Sequence, residues 1–344
     1  MITVVVPTYN RPRFVARAID YWGESAWPIL VADGSPEPFR GKFPSNVTYV
    51  NDYRSTRSHG LLGFSSRVVK SLETISTEFV VLCSDDDFIG FNAIRACVKF
   101  LIDNVDYVAA HGDGFKFTQL TSPPSILIPS RAPRATAHKV DGMTARLRMQ
   151  QAMKPYVPLF YAVHRKGVLQ ATFDSIEGAS MQSNDIELQV ALVASVFGKH
   201  VFFPFFYTAR ETIPGSEGTV TEDFGSWLAN QANATELNLW RNLTARLYAE
   251  AEHATEEEGQ TVFDEALEAY LEVCSDKRTP LTSRAIWQLK PLLRKLIPRQ
   301  LLSQRRRRLD QAAIAASKFP WSDESAREDW RRMKAMIQKH GVLA

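Results

Sequence analysis

Residues 2–12 read ITVVVPTYNRP. Ile2 to Val6 form an unbroken β-branched run, the pattern of a strand covered on both faces. PTYNRP breaks that run. Residues 13–22, RFVARAIDYW, then take up helical spacing, with Phe14, Ala18 and Ile19 on one face. A buried strand that passes through a short polar turn into an amphipathic helix opens an α/β fold.

The alternation continues. PILVADGS (28–35) is a second strand ending in a turn, and VTYVND (47–52) a short third. A helix over roughly 64–76 leads to the strand EFVVLCS (78–84), which delivers three consecutive aspartates, Asp85, Asp86 and Asp87. A helix at about 91–105 precedes YVAAHGDGFKF (107–117). Strand–helix alternation predicts an α/β fold with a mostly parallel mixed sheet flanked by helices. Ligands of such sheets collect beyond the carboxyl ends of the strands, where PTYN, ADGS and SDDD all fall.

Residues 119–141 are rich in Pro, Ser and Thr and read as a long loop, a lid or binding segment. A helix over 142–153, a strand over 157–166, a helix over 183–197 capped by Ser183 or Asn184, and a last strand over 199–211 follow. PGSEG (214–218) marks a boundary. The chain then divides into an α/β domain over 1–215 and a mainly helical region over 216–344.

Composition narrows the class. The chain has 344 residues, 45% hydrophobic and 23% charged, with a net charge of +3. That is ordinary for a soluble globular protein and too mild to indicate nucleic acid. The three cysteines, Cys83, Cys97 and Cys274, form no CxxC pair and read as thiols rather than a zinc or disulfide framework. MITVVVPTYN has neither a basic n-region nor a small-residue cleavage site, so a cytoplasmic protein is the expectation. No run of 18 apolar residues is present.

Adjacent carboxylates at a strand end suit a hard divalent cation, Mg²⁺ or Mn²⁺, held with substrate phosphates. The alternative is a solvated acidic turn. VVVPTYNRPRFVARAIDYW, ILVADGS and VVLCSDDDF, in this order and spacing, resemble the family 2 glycosyltransferases, nucleotide-sugar enzymes of the GT-A fold, over about residues 2–211. The resemblance implies that Pro7, Thr8 and Tyr9 flank the nucleobase and that Asp33 accepts a hydrogen bond from it, as a carboxylate can from an imide N–H. The acidic cluster resembles the family's DxD-type motif in either of two registers, Asp85 with Asp87 or Ser84 with Asp86. The flanking Phe88 and Ile89 favour the second, with Asp85 towards the ribose and Asp86 on the metal. Asp87 is then a second ligand or a charge at a helix N-terminus.

The same resemblance implies a general base at Asp185, although Asn184 stands where the family has Glu. Glu187 lies two residues on, roughly 200° around a helix, and does not share that face. His111 and Asp113, at another strand end, are candidates for the acceptor. Arg210 is a candidate phosphate contact, or a salt-bridge partner of Glu211 or another acid. The implied donor is a UDP-, dTDP- or GDP-sugar, and the implied acceptor a glycan or lipid-linked hydroxyl. An inactive relative serving as a membrane-associated scaffold is a rival reading. A nucleotidyltransferase is less favoured, because PTYNRPR lacks the glycine-rich loop of that class.

From Lys277 to Leu309 there are eleven basic residues and no acidic one, threaded with Ile286, Trp287, Leu292, Leu293, Leu296, Ile297, Leu301 and Leu302. Such a segment suits an anionic membrane surface. The expectation is peripheral attachment at the inner membrane face through residues 284–308, with a solvated helical face as the alternative.

Overall fold

The computed structural model describes residues 1–51, 61–121, 124–128, 132–177, 181, 183–213, 224–276 and 319–341. The expected alternation is present: β1 (Ile2–Thr8), α1 (Pro12–Gly23), β2 (Ile29–Asp33), β3 (Val47–Val50), α2 (Leu61–Thr74), β4 (Phe79–Leu82), β5 (Phe88–Ile89), α3 (Phe91–Asp103) and β6 (Tyr107–Thr121). Next come β7 (Pro124–Leu127), β8 (His138–Val140), α4 (Ala145–Met153), β9 (Val163–Arg165), α5 (Lys166–Ser175), α6 (Ser183–Phe197) and β10 (Lys199–Glu211). The described residues from 224 onward carry helices and no strand: α7 (Phe224–Ala229), α8 (Ala234–Glu252), α9 (Glu256–Asp276) and α10 (Glu324–His340).

The main sheet runs β3-β2-β1-β4-β9-β6-β10-β5. Strands β1 to β4 are mutually parallel. Strand β9 runs antiparallel between β4 and β6, and the long β6 and β10 pair in parallel. Because β1, β2 and β4 run the same way, their carboxyl ends share one edge. The polar turns after Thr8, Asp33 and Leu82 are therefore brought together.

The continuous apolar strands are explained by cover on both faces. Val4 and Val6 of β1 join one core with Val15, Ile19 and Trp22 of α1 and Ile94 of α3. Val5, between them, points into a second core with Val68 and Leu72 of α2 and Ile186 of α6. Alternate residues of a strand face opposite sides, so one β-branched run feeds two cores.

Two expectations change. Residues 119–141 are not structureless: β6 continues to Thr121 and pairs with β7, and β8 pairs with β10. The composition predicts turns but is blind to a sheet edge that offers free backbone partners. Residues 157–166 contribute only a three-residue strand, and Lys166 starts a helix that the apolar spacing does not signal. The C-terminal helix α10 buries Met333, Met336 and Ile337 in the core shared with α1 and α3. The basic segment 284–308, with Trp287, Leu293 and Leu296, lies outside the described residues. No described helix is long and apolar enough to cross a membrane.

Candidate active site

The turn after β1 sets up the site. Asn10 takes a left-handed conformation, with φ 54°, which a short amide side chain tolerates better than most. Its N–H donates to Ser35 Oγ at 2.7 Å, tying the β1 turn to the β2 turn. Pro12 then starts α1, where a missing N–H costs nothing. This leaves Arg11 at the strand edge, its guanidinium 4.1 Å from the centre of the Phe14 ring.

Arg11 answers the question raised by three adjacent carboxylates. Its two terminal nitrogens donate to Asp85 Oδ1 at 2.7 Å and Asp86 Oδ2 at 2.8 Å. Thr8, beside it in the chain, donates its hydroxyl to Asp85 Oδ2 at 2.6 Å. Asp87 has a separate set of donors: the Glu211 N–H at 2.8 Å, the Tyr161 hydroxyl at 2.7 Å and Arg210 Nε at 3.3 Å. Behind the cluster, Arg17 donates to the Asp86 carbonyl at 2.9 Å and forms an ion pair with Glu211 at 2.7 Å, both side chains almost wholly buried.

Burial pushes the Asp85 and Asp87 carboxyls up from their ordinary value, and Arg11 and Arg210 respectively pull them back. Burial likewise lifts the Tyr161 phenol well above its usual range, reinforced by Asp87. Tyr161 therefore stays protonated and donates to the acid.

A hard cation needs oxygen ligands gathered at one point. Asp87 offers little, since its oxygens already accept three donors. Asp86 fits better: only Oδ2 is engaged, and its side chain keeps 12% exposure. Among the described residues no group of three or more His, Cys, Asp or Glu side chains gathers as a metal cage. A cation here would have one partly free carboxylate, Asp86, and would need substrate phosphate oxygens to complete its ligands.

Pro7, Thr8 and Asp33, the residues expected to meet a nucleobase, are brought to one edge with Tyr9. Asp33 is 1% exposed; Oδ1 accepts the Ser35 N–H at 2.7 Å and the Ser35 hydroxyl, and Oδ2 accepts the Tyr49 hydroxyl at 2.6 Å. A carboxylate has about four lone-pair positions, so an imide N–H would share this acid with the turn it organises.

A cleft beside the acidic cluster collects the acceptor-side candidates. His111, Asp113, Lys116, Arg134, Tyr161, Glu187 and Arg210 all line it. His111 stacks on Phe202 with ring centres 5.0 Å apart, and burial pushes its imidazole down to about 3, so it is neutral. Asp113 accepts the backbone N–H of Gly114 and of Arg134, each at 2.9 Å. Arg210 pairs with Asp87 rather than Glu211, and sits over the Tyr161 ring at 5.1 Å. Asp185 does not line the cleft and is 2% exposed.

Arg11, Arg17 and Tyr161 are part of the site without being candidates on the sequence pattern. Arg11 stood inside PTYNR, and its charge beside three acids was the available signal. Arg17 and Tyr161 gave none, because each sits among apolar residues of a helix or strand pattern.

No protein-family model matches the chain, and no curated protein sequence matches it significantly. Solved structures do resemble it. The crystal structure of S. aureus TarS 1-349 matches with a TM-score of 0.51 at 12% identity, covering 83% of this chain and 77% of that one. The same protein in complex with UDP gives 0.48 at 13% identity, with the same coverage. In complex with UDP-GlcNAc it gives 0.46 at 12%, covering 78% and 89%. The likeness at 0.51 is one of fold: the α/β architecture expected from the strand ends is the one the chain has.

Proposed function

We propose that this chain is a glycosyltransferase that moves a sugar from a nucleotide-diphosphate-sugar to a hydroxyl of a glycan or lipid-linked acceptor, inverting the anomeric carbon in one displacement. The observation that carries the reading is the gathering of Thr8, Arg11, Asp85 and Asp86 at the carboxyl edge of parallel strands, next to a cleft lined with polar side chains. Ligands of α/β sheets bind at that edge. The shared fold with TarS, a protein crystallised with UDP and with UDP-GlcNAc, supports a nucleotide-sugar donor.

In this reading Pro7, Thr8, Tyr9 and Asp33 bind the base, and Asp85 the ribose. Asp86 holds a Mn²⁺ or Mg²⁺ ion, whose chemistry is to neutralise charge on the departing diphosphate. Arg11, released from Asp85 and Asp86 as donor binds, presents its fork to phosphate oxygens, a geometry guanidinium matches well. Arg210 supplies a second cation on the cleft side. A carboxylate of α6 accepts the acceptor's proton; the family resemblance assigns that role to Asp185.

The test is a thermal-shift screen with UDP-, GDP- and dTDP-sugars, with and without Mn²⁺, followed by turnover of whichever sugar binds. A specific ligand raises stability according to its excess over Kd. Binding without turnover of any donor would favour the inactive scaffold. No shift with any nucleotide would remove the glycosyltransferase reading.

A further inference from the structure

Two carboxylates stand near the start of α6, and the fold gives them opposite surroundings. Asp185 is enclosed, at 2% exposure. Glu187, about 200° further around the helix, lines the cleft with Arg210, Tyr161, Lys116 and His111. Tyr161 and Arg210 also hold Asp87, so this cleft adjoins the acidic cluster. The cleft's other carboxylate, Asp113, is committed: both its oxygens accept backbone N–H groups. Glu187 differs, since no described residue donates a hydrogen bond to it or forms an ion pair with it.

Resting on the glycosyltransferase reading, we infer that Glu187, rather than Asp185, is the proton acceptor of the transfer. An acceptor hydroxyl seated in the cleft passes its proton to a Glu187 carboxylate oxygen as its own oxygen bonds to the anomeric carbon. The breaking bond between that carbon and the phosphate oxygen leaves its electron pair with the nucleoside diphosphate. Arg210, paired with Asp87, also lends its charge to the ionised form of Glu187. Burial raises the Glu187 carboxyl above its ordinary value, opposed by Arg210 and Lys116, and a base whose pKa approaches the working pH is the more effective one. The buried Tyr156 phenol also feels Glu187.

The experiment compares the full-length parent with Glu187→Gln, Glu187→Asp and Asp185→Asn. The donor is the UDP-, GDP- or dTDP-sugar that shifts the parent's Tm most. Nucleotide affinity is read by calorimetry, and turnover by release of nucleoside diphosphate, with water or a glycan panel as acceptor. Glu187→Gln is expected to keep the parent's nucleotide affinity and lose turnover by roughly 10²–10⁴-fold. Its remaining rate should lack the parent's decline on the acid side, where Glu187 takes up a proton in the field of Arg210, Lys116 and Tyr156. Glu187→Asp should retain that decline at reduced rate. Glu187→Gln turning over within a few-fold of the parent, or Asp185→Asn alone losing the acid-side decline, overturns the assignment while leaving the glycosyltransferase reading intact. A parent that binds and turns over none of the donors overturns both.

Discussion

Asp329 of the C-terminal helix accepts the backbone N–H of Asn92 at 3.1 Å, across 237 positions of sequence. It also accepts the Ala93 N–H at 3.3 Å. These are donors that the first turn of α3 cannot satisfy itself, and Gly90 at the N-cap has no side chain to offer. A Cβ at Gly90 would collide with the Asp329 carboxylate. The last helix of the chain thus caps the helix that follows the acidic cluster.

The first prediction concerns this cap. Asp329→Ala should cost about 0.5–2 kcal/mol, the range for loss of a helix cap, measured by urea unfolding. Asp329→Asn, which keeps an acceptor oxygen, should cost less. Burial lifts the Asp329 carboxyl to about 6. Between the ordinary carboxyl value and about 6, the folded chain holds a proton that the unfolded chain has released. This group's contribution to stability is therefore full at low pH and declines as pH rises through that window. Asp329→Asn should remove that part of the slope; an unchanged slope would place its cause elsewhere.

The acidic cluster should separate into two behaviours. Asp86→Ala should leave the fold intact and abolish Mn²⁺-dependent binding of nucleoside diphosphate. Asp87→Ala should instead lower the Tm clearly, because it strands the Tyr161 hydroxyl and the Glu211 N–H around a buried space. Leaving buried donors without an acceptor costs about 1–3 kcal/mol. Calorimetry with UDP, GDP and dTDP, run beside thermal melts, distinguishes the two.

Behind the cluster, the ion pair of Arg17 and Glu211 is enclosed on both sides. Glu211→Gln leaves a buried guanidinium without its counter-charge. The expected loss is about 3–5 kcal/mol, the scale for breaking a buried pair from one side. Chemical unfolding should show a lower midpoint with an unchanged slope. A loss under about 1 kcal/mol would mean that the Asp86 carbonyl and the flanking aromatic rings suffice for Arg17.

A fourth prediction addresses the basic segment. Each Lys or Arg near an anionic surface is worth about 1 kcal/mol, so residues 284–308 acting together should hold the full chain on anionic liposomes. Sedimentation should show binding to anionic but not neutral vesicles. It should weaken with salt, as the Debye length falls to about 3 Å at 1 M, and weaken again when Arg305–Arg308 are changed to Ser. Equal binding to both vesicle types would leave the solvated-face alternative.

The residue pattern alone carries the strand–helix alternation, the mostly parallel sheet and the polar strand ends that share one edge. A β-branched run must be buried on both faces, and parallel strands bring their polar ends to one side. Local pattern therefore sufficed to place Thr8, Asp33 and the three aspartates at strand ends. What those acids face was decided only by tertiary structure. Arg11 reaches Asp85 and Asp86 across 74 and 75 positions, and Arg210 and Tyr161 reach Asp87 across 123 and 74. The same holds for the divergence of Asp185 and Glu187, which helical spacing sets 200° apart without saying which face meets the cleft. It holds too for the pairing of Asp329 with α3. Spacing along a chain carries the period of a helix or strand, but the partner of a charge depends on which elements pack against each other. That follows from burial of whole surfaces, not from the residues beside it in sequence.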